Sequence, residues 1–231
     1  MLDTIFSIVP CESQISLFGI THLIILVASL ASAYFMVKRN KESKLFEKGS
    51  TILMLIGYVC LYTWYYFSPE NFIIKGLPLY TCRIAVYMLT LGIFFKKELW
   101  LKIGSYWGFF GGFFGLLLPT IFDYPFPHVL QITTFYLHIY LFLISTYYLF
   151  VKKIGMDKKD LKMCSKFTVW FLAFVTAVNV KLGSNYSATL KMPGVLLKLG
   201  ISFPIGFCFI VVTVGYLVAI YLEYKLINKY N

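Results

Sequence analysis

Residues 17–37 read LFGITHLIILVASLASAYFMV, and residues 38–44 directly after them read KRNKESK. The first stretch contains no Asp, Glu, Lys or Arg, and it has the length of roughly 20 apolar residues that an α-helix needs to cross a bilayer core. The second stretch is rich in lysine and arginine. This boundary is typical of a transmembrane helix that ends at the cytoplasmic surface.

Further apolar stretches of similar length follow along the chain. The sequence is 59% hydrophobic with a mean hydropathy of +0.77, which exceeds the apolar share of a soluble domain. No linker or repeat indicates a second domain. We predict an all-α, polytopic membrane protein, with residues 1–231 forming a single domain of seven transmembrane helices in one bundle. The predicted spans are residues 17–37, 48–67, 77–95, 99–119, 128–151, 167–183 and 201–224.

The positive charges fall mainly into alternate gaps between these spans, and short loops rich in Lys and Arg remain on the cytoplasmic side of a membrane. We therefore predict an outside N-terminus, a cytoplasmic C-terminus and a multi-pass protein of the cell membrane. The first span begins too far along the chain, and lacks the preceding basic residues, for a cleaved signal peptide. The basic gap and tail residues are Lys38, Arg39, Lys41, Lys44, Lys48, Lys96, Lys97, Lys102, Lys152, Lys153, Lys158, Lys159, Lys162, Lys166, Lys225 and Lys229.

The net charge of +11 does not predict nucleic-acid binding, because the charges lie in short interhelical loops without a base-reading fold. Anionic lipid headgroups are the expected counter-charge. The three histidines and five cysteines show no metal-ligand spacing, so we predict no metal site, and no cofactor-binding motif is recognisable. The sequence leaves the oligomeric state open.

Polar side chains inside the spans are costly in hydrocarbon, and they usually face the bundle interior with a functional role. Most of those found here fall within roughly 10 Å of the predicted outer surface at 1.5 Å rise per residue, with His138 nearer the midplane. The sequence therefore predicts one polar pocket beneath the outer headgroups. Its expected members are His22, Cys82, Arg83, His128, Gln131, His138 and Asn179.

The fifth span carries three of these residues on one helical face, because His128, Gln131 and His138 are separated by three and seven positions. The stripe starts near Asp123 and the loop at residues 124–127. His138 could instead be a buried histidine that a neighbouring helix satisfies, and His22 could anchor at the interface.

Cys82 is the candidate nucleophile, since a thiolate with a nearby histidine as general base is sufficient for acyl transfer. Arg83 points about 100° away from Cys82 on a helix, and its planar guanidinium is suited to a phosphate or carboxylate. The alternative is that Cys82 is a small core residue, as we expect for Cys60 and Cys208. The glycines Gly108, Gly111, Gly112 and Gly115 form small-xxx-small patterns typical of close helix packing.

The chain contains the segments Leu77-Pro78-Leu79-Tyr80-Thr81-Cys82 and Tyr124-Pro125-Phe126-Pro127-His128, then Gln131, His138, Asn185-Tyr186 and Pro193. Through these residues it resembles the YwaF-like family of integral membrane proteins over nearly its whole length. The resemblance implies a compact seven-helix bundle in a bacterial plasma membrane. It also implies a distant relationship to a vertebrate transmembrane acyltransferase that moves fatty acyl groups between phospholipids through a cysteine.

Under this resemblance, Cys82 is the nucleophile and His138 is the base, while His128 and Gln131 shape the pocket. We expect membrane phospholipids or lysolipids as partners, with Arg83 or an outer lysine holding the headgroup phosphate. Asn179, Asn185 or Gln131 would stabilise the oxyanion, and His22 would complete the substrate-binding residues. Two alternatives remain open: a protein that binds or transports a small solute or lipid through the same pocket without catalysis, and a structural or sensing subunit.

Overall fold

The computed structural model of the protein describes residues 2–9, 16–119, 124, 127–193, 196–197 and 200–230. Helices and connecting turns, without strands, make up these residues. The long helices are α1 (Ile20–Arg39), α2 (Lys44–Phe67), α3 (Thr81–Phe95), α4 (Glu98–Leu117), α5 (Val129–Thr146), α6 (Lys158–Leu182) and α7 (Ile205–Tyr230). Shorter pieces are Leu2–Ile5, Pro69–Asn71, π-helical turns at Phe72–Gly76 and Tyr147–Val151, and a 3-10 turn at Tyr186–Ala188.

Five of these helices are long and apolar enough to cross a membrane, namely α1, α2, α5 with its π-helical extension, α6 and α7. A sixth span results if α3 is counted together with the bent segment Pro69–Gly76 that precedes it. The prediction of a multi-pass, all-helical membrane protein is therefore confirmed. Helix α4 has the required length, but its glycines and its charged first turn lower its mean hydropathy, so it is not among these five. The count of seven spans and the orientation of the termini stay predictions.

The helix boundaries follow local capping rules. Helix α1 ends at Asn40, which has a left-handed backbone with φ 43°, and the Ser43 side chain accepts a hydrogen bond from the backbone N–H of Phe46 at the start of α2. Helix α6 begins with a capping box between Asp157 and Asp160. These caps keep the two basic connections compact.

Helix α4 packs closely against both α3 and α5, and α2 covers another side of α5. A Cβ added at Gly112 would lie 2.7 Å from the backbone nitrogen of Phe142 on α5. A Cβ added at Gly104 would lie 2.9 Å from the backbone nitrogen of Leu89 on α3. Only glycine permits backbones to approach this closely, as the small-xxx-small interpretation expects for helices in lipid.

The chain bends sharply before α3, where Pro78 has no backbone N–H to continue the helical hydrogen bonds. The segment Pro69–Gly76 makes an angle of 83° with α3. As a result of this bend, α3 begins at the buried residue Thr81. Its other end is followed by Lys96 and Lys97. The first turn of α3 contains Cys82 and Arg83.

Candidate functional site

A cavity of about 60 Å³ lies between α2, α3 and α5. This volume has room for a few water molecules or a small functional group. Leucine and valine side chains form much of its wall, and all three helices contribute polar side chains. The polar lining residues are Tyr58, Tyr65, Cys82, Arg83, Thr133, Thr134 and His138.

Cys82 lies in the first turn of α3 with a half-buried side chain. Its side chain and the imidazole of His138 interact with each other and line the same cavity. The unpaired N–H groups and the dipole of a helix N-terminus favour negative charge nearby. The helix start therefore places the Cys82 side chain where negative charge is favoured, in a cavity that it shares with the His138 imidazole.

His138 lies on α5 with its Nδ1 atom 2.6 Å from the backbone oxygen of Thr134. Since a carbonyl oxygen only accepts, Nδ1 carries the proton and donates it to this bond. The other ring nitrogen, Nε2, is then the acceptor that faces the Cys82 thiol. This tautomer is the one that a general base requires.

Arg83 extends from α3 towards the bend that precedes its helix. Its Nη1 atom donates to the backbone oxygens of Gly76 at 2.6 Å and Leu77 at 2.9 Å. The guanidinium carbon lies 4.8 Å from the ring centre of Tyr80 and 5.9 Å from that of Tyr65. Within the described ranges, no carboxylate forms an ion pair with this arginine. Its charge is thus met by carbonyl groups and aromatic rings.

Replacing Arg83 by glutamine is expected to destabilise the folded protein by about 3 kcal/mol, because a hydrogen bond from a charged donor contributes roughly 1.5–3 kcal/mol. The bend would lose both carbonyl contacts at Gly76 and Leu77. Reversible unfolding in detergent micelles measures this loss. Lys75→Gln removes the same charge from an exposed residue of the same bend and should change stability little. Equal stability losses in the two variants would contradict the anchoring role.

The structure places His22 and His128 away from the cavity, with both ring nitrogens of each already engaged. In His22, Nδ1 accepts from the backbone N–H of Phe18 at 2.9 Å, and Nε2 lies 2.7 Å from the backbone oxygen of Leu116. In His128, Nδ1 accepts from the backbone N–H of Leu130, and Nε2 lies 2.9 Å from the backbone oxygen of Ser7. Both histidines therefore tie separate segments together.

The predicted amide residues also lie outside the cavity lining. Gln131 is buried and donates to the backbone oxygen of Tyr124 at 3.1 Å. Asn179 is fully buried, and both its amide nitrogen and its oxygen bind the turn that follows α6. Asn185 closes the next turn through Lys191. Asp123, Pro125 and Phe126 lie outside the described residues.

The sequence interpretation missed the contribution of α2, which supplies Tyr58, Leu61 and Tyr65 to the cavity wall. These positions are separated by three and four residues, so they share one helical face. That pattern could have indicated a polar stripe, but tyrosine is frequent throughout this chain. Among the described residues, no group of three His, Cys, Asp or Glu side chains could hold a metal ion.

The apolar helices and the internal cysteine, histidine and arginine define a multi-pass helical membrane protein with a small polar cavity. The family model of the TMEM164 family matches residues 13–223, and the chain therefore belongs to this family of transmembrane proteins. No curated protein and no solved structure matches the chain. The finer resemblance to the YwaF-like family and to a phospholipid acyltransferase stays a prediction.

Proposed function

We propose that this protein is a cysteine-dependent lipid acyltransferase of the cell membrane, with Cys82 as the nucleophile and His138 as the base. The observation that supports this proposal is that Cys82, in the first turn of α3, and His138 line one cavity, with the neighbouring turns of α4 at Gly111 and Gly115 beside the two side chains. A nucleophile within hydrogen-bond reach of a correctly oriented base is the arrangement that covalent acyl transfer needs.

In the first half-reaction, Nε2 of His138 removes the thiol proton and the thiolate attacks the ester carbonyl carbon of a phospholipid. The tetrahedral intermediate collapses by breaking the bond between that carbon and the ester oxygen. His138 returns its proton to the departing alkoxide, which leaves as a lysolipid hydroxyl. The products are a Cys82 thioester and a neutral imidazole, so atoms and charge balance.

In the second half-reaction, the hydroxyl of a lysolipid or another amphiphile gives its proton to Nε2 of His138 and attacks the thioester carbon. The carbon–sulfur bond breaks, and the Cys82 thiolate recovers the proton from His138. The oxyanion in both halves needs a donor within reach. The backbone N–H of Arg83, the residue that follows Cys82, would be such a donor, since the predicted amides of Gln131, Asn179 and Asn185 do not line the cavity.

The cavity of about 60 Å³ accommodates the ester group but is too small for an entire fatty acyl chain. The hydrocarbon chain would therefore extend between the helices into the surrounding lipid. Arg83 has no carboxylate partner in the described part of the chain, and its guanidinium would hold the headgroup phosphate. With the predicted orientation, donor and acceptor lipids would enter from the outer leaflet of a bacterial plasma membrane.

A second candidate function is the binding of a small anionic solute without covalent chemistry. The observation that favours it is the same half-buried Arg83 in the lining of a cavity of only about 60 Å³. In this case the Cys82 thiol would line the pocket but would never become acylated.

The two functions differ in whether a thioester forms. The protein, reconstituted in vesicles that contain a phospholipid with a labelled acyl chain, should acquire that label on the peptide that contains Cys82. Neutral hydroxylamine should release it, since it cleaves thioesters, and mass spectrometry identifies the peptide. Label at Cys60, which is also half-buried but does not line the cavity, would indicate non-specific acylation. No label at Cys82 with any phospholipid class would favour solute binding.

A further inference from the structure

We propose that Gly115 of α4 is a positioning residue for catalysis, which makes room for the His138 imidazole and holds it against the Cys82 thiol. The inference deepens the proposed function and rests on it for its catalytic meaning. A Cβ added at Gly115 would overlap the imidazole, with the His138 Cγ only 2.7 Å away and the Cδ2 and Nε2 atoms closer still. Real Cβ atoms do not approach a ring this closely.

The imidazole has little freedom to move away from such a Cβ. On one side, its Nδ1 atom is bonded to the backbone oxygen of Thr134 at 2.6 Å, which fixes the ring to its own helix. On the other side, the ring edge that contains Nε2 lies over Gly115. Any side chain at position 115 would rotate the ring or break the Thr134 bond, and either change would displace Nε2 from the thiol.

The glycines of α4 are not equivalent in this respect. A Cβ at Gly112 would meet the backbone of Phe142, so that glycine serves helix packing. A Cβ at Gly111 would lie 3.7 Å from the Cβ and 3.8 Å from the Cα of Cys82, which is ordinary van der Waals contact. Gly111 therefore provides a matched control one helical turn from Gly115, beside the thiol instead of the base.

The direct readout is the alkylation rate of Cys82 by iodoacetamide at neutral pH, followed by mass spectrometry of the Cys82 peptide. The thiolate is the reactive form, and its population depends on the base beside it. We expect Gly115→Ala to slow alkylation by roughly tenfold, close to the effect of His138→Ala. In Gly111→Ala, Cys82 should be alkylated at the wild-type rate.

A double variant separates positioning from a general packing defect. If Gly115 acts only through the imidazole, Gly115→Ala should have no further effect on Cys82 reactivity in a His138→Ala background. The double variant should also regain any stability that Gly115→Ala loses, because the overlapping ring is absent. If Gly115→Ala fails to fold while the double variant folds, the close contact is equally supported. Additive losses in reactivity and stability would overturn the inference.

The failure of this inference is distinguishable from the failure of the proposed function. A Gly115→Ala protein with wild-type alkylation overturns the positioning role, whatever the result of thioester labelling. In another outcome, Cys82 is alkylated slowly in Gly115→Ala, but Cys82 of the wild-type protein never acquires an acyl group. The positioning of His138 by Gly115 would then still be supported. In that outcome only the acyl transfer function would be lost.

Discussion

Replacing Cys82 by serine is expected to lower acyl transfer between phospholipids by roughly 10³-fold or more, as the loss of a covalent nucleophile does in other enzymes. A serine hydroxyl is far less acidic than a thiol, and a single neutral imidazole activates it poorly. In many serine hydrolases a carboxylate supports the histidine, whereas here the Nδ1 atom of His138 binds the backbone oxygen of Thr134. Transfer of a labelled acyl chain in proteoliposomes measures the effect.

Cys60→Ser is the matched control for this prediction, because it makes the same chemical change at a half-buried cysteine of α2 that does not line the cavity. Its transfer rate should equal that of the wild type. Retention of full transfer by Cys82→Ser would rule out the thioester pathway, and the anion-binding function would then account better for Arg83.

The apolar pattern predicted the helices well where the helix lies wholly in an apolar stretch. It placed one span at residues 128–151, and the structure has Val129–Val151. The apolar pattern predicted the helix boundaries less well where a capping residue or a proline determines where the helix begins. The span predicted at residues 167–183 is part of a helix that begins at Lys158, since the capping box at Asp157 extends it through charged residues. The span predicted from residue 77 begins at Thr81, after the break at Pro78.

The site was predictable only in part, because the sequence shows which polar residues are buried but not which partners they meet. Residue chemistry indicated Cys82, Arg83 and His138, and the structure brings these three to one cavity. The same reasoning also selected His22 and His128, because every buried polar group in a membrane needs an interior partner. The sequence could not reveal that this partner would be a backbone carbonyl.

Helix ends explain why such carbonyls are available. Leu116 belongs to the last turn of α4, where carbonyl groups lack intrahelical donors, and its oxygen binds His22. Ser7 follows the short helix Leu2–Ile5, and its oxygen binds both His128 and Trp64. Which helix end meets which histidine depends on tertiary packing, so no local pattern contains this information.

Replacing His138 by alanine is expected to slow acyl transfer by roughly 10²- to 10⁴-fold, the usual contribution of a positioned general acid–base. The loss should affect thioester formation and thioester transfer alike, because Nε2 moves a proton in both half-reactions. Rapid-mixing measurements of Cys82 labelling, with and without a lysolipid acceptor, separate the two steps. His22→Ala is a suitable control, since the described hydrogen bonds of His22 go to Phe18 and Leu116, away from the cavity, and its loss should affect stability without changing transfer per folded molecule.

Added imidazole provides the decisive measurement for this histidine. Truncation to alanine would leave a ring-sized space beside Gly115 and the Cys82 thiol, and a free imidazole that enters it can accept the thiol proton. Transfer by His138→Ala should therefore rise with imidazole concentration, while transfer by Cys82→Ser should not respond. If imidazole restores nothing and the variant still folds, His138 would act by packing, and the base would have to be sought among the other polar groups of the cavity.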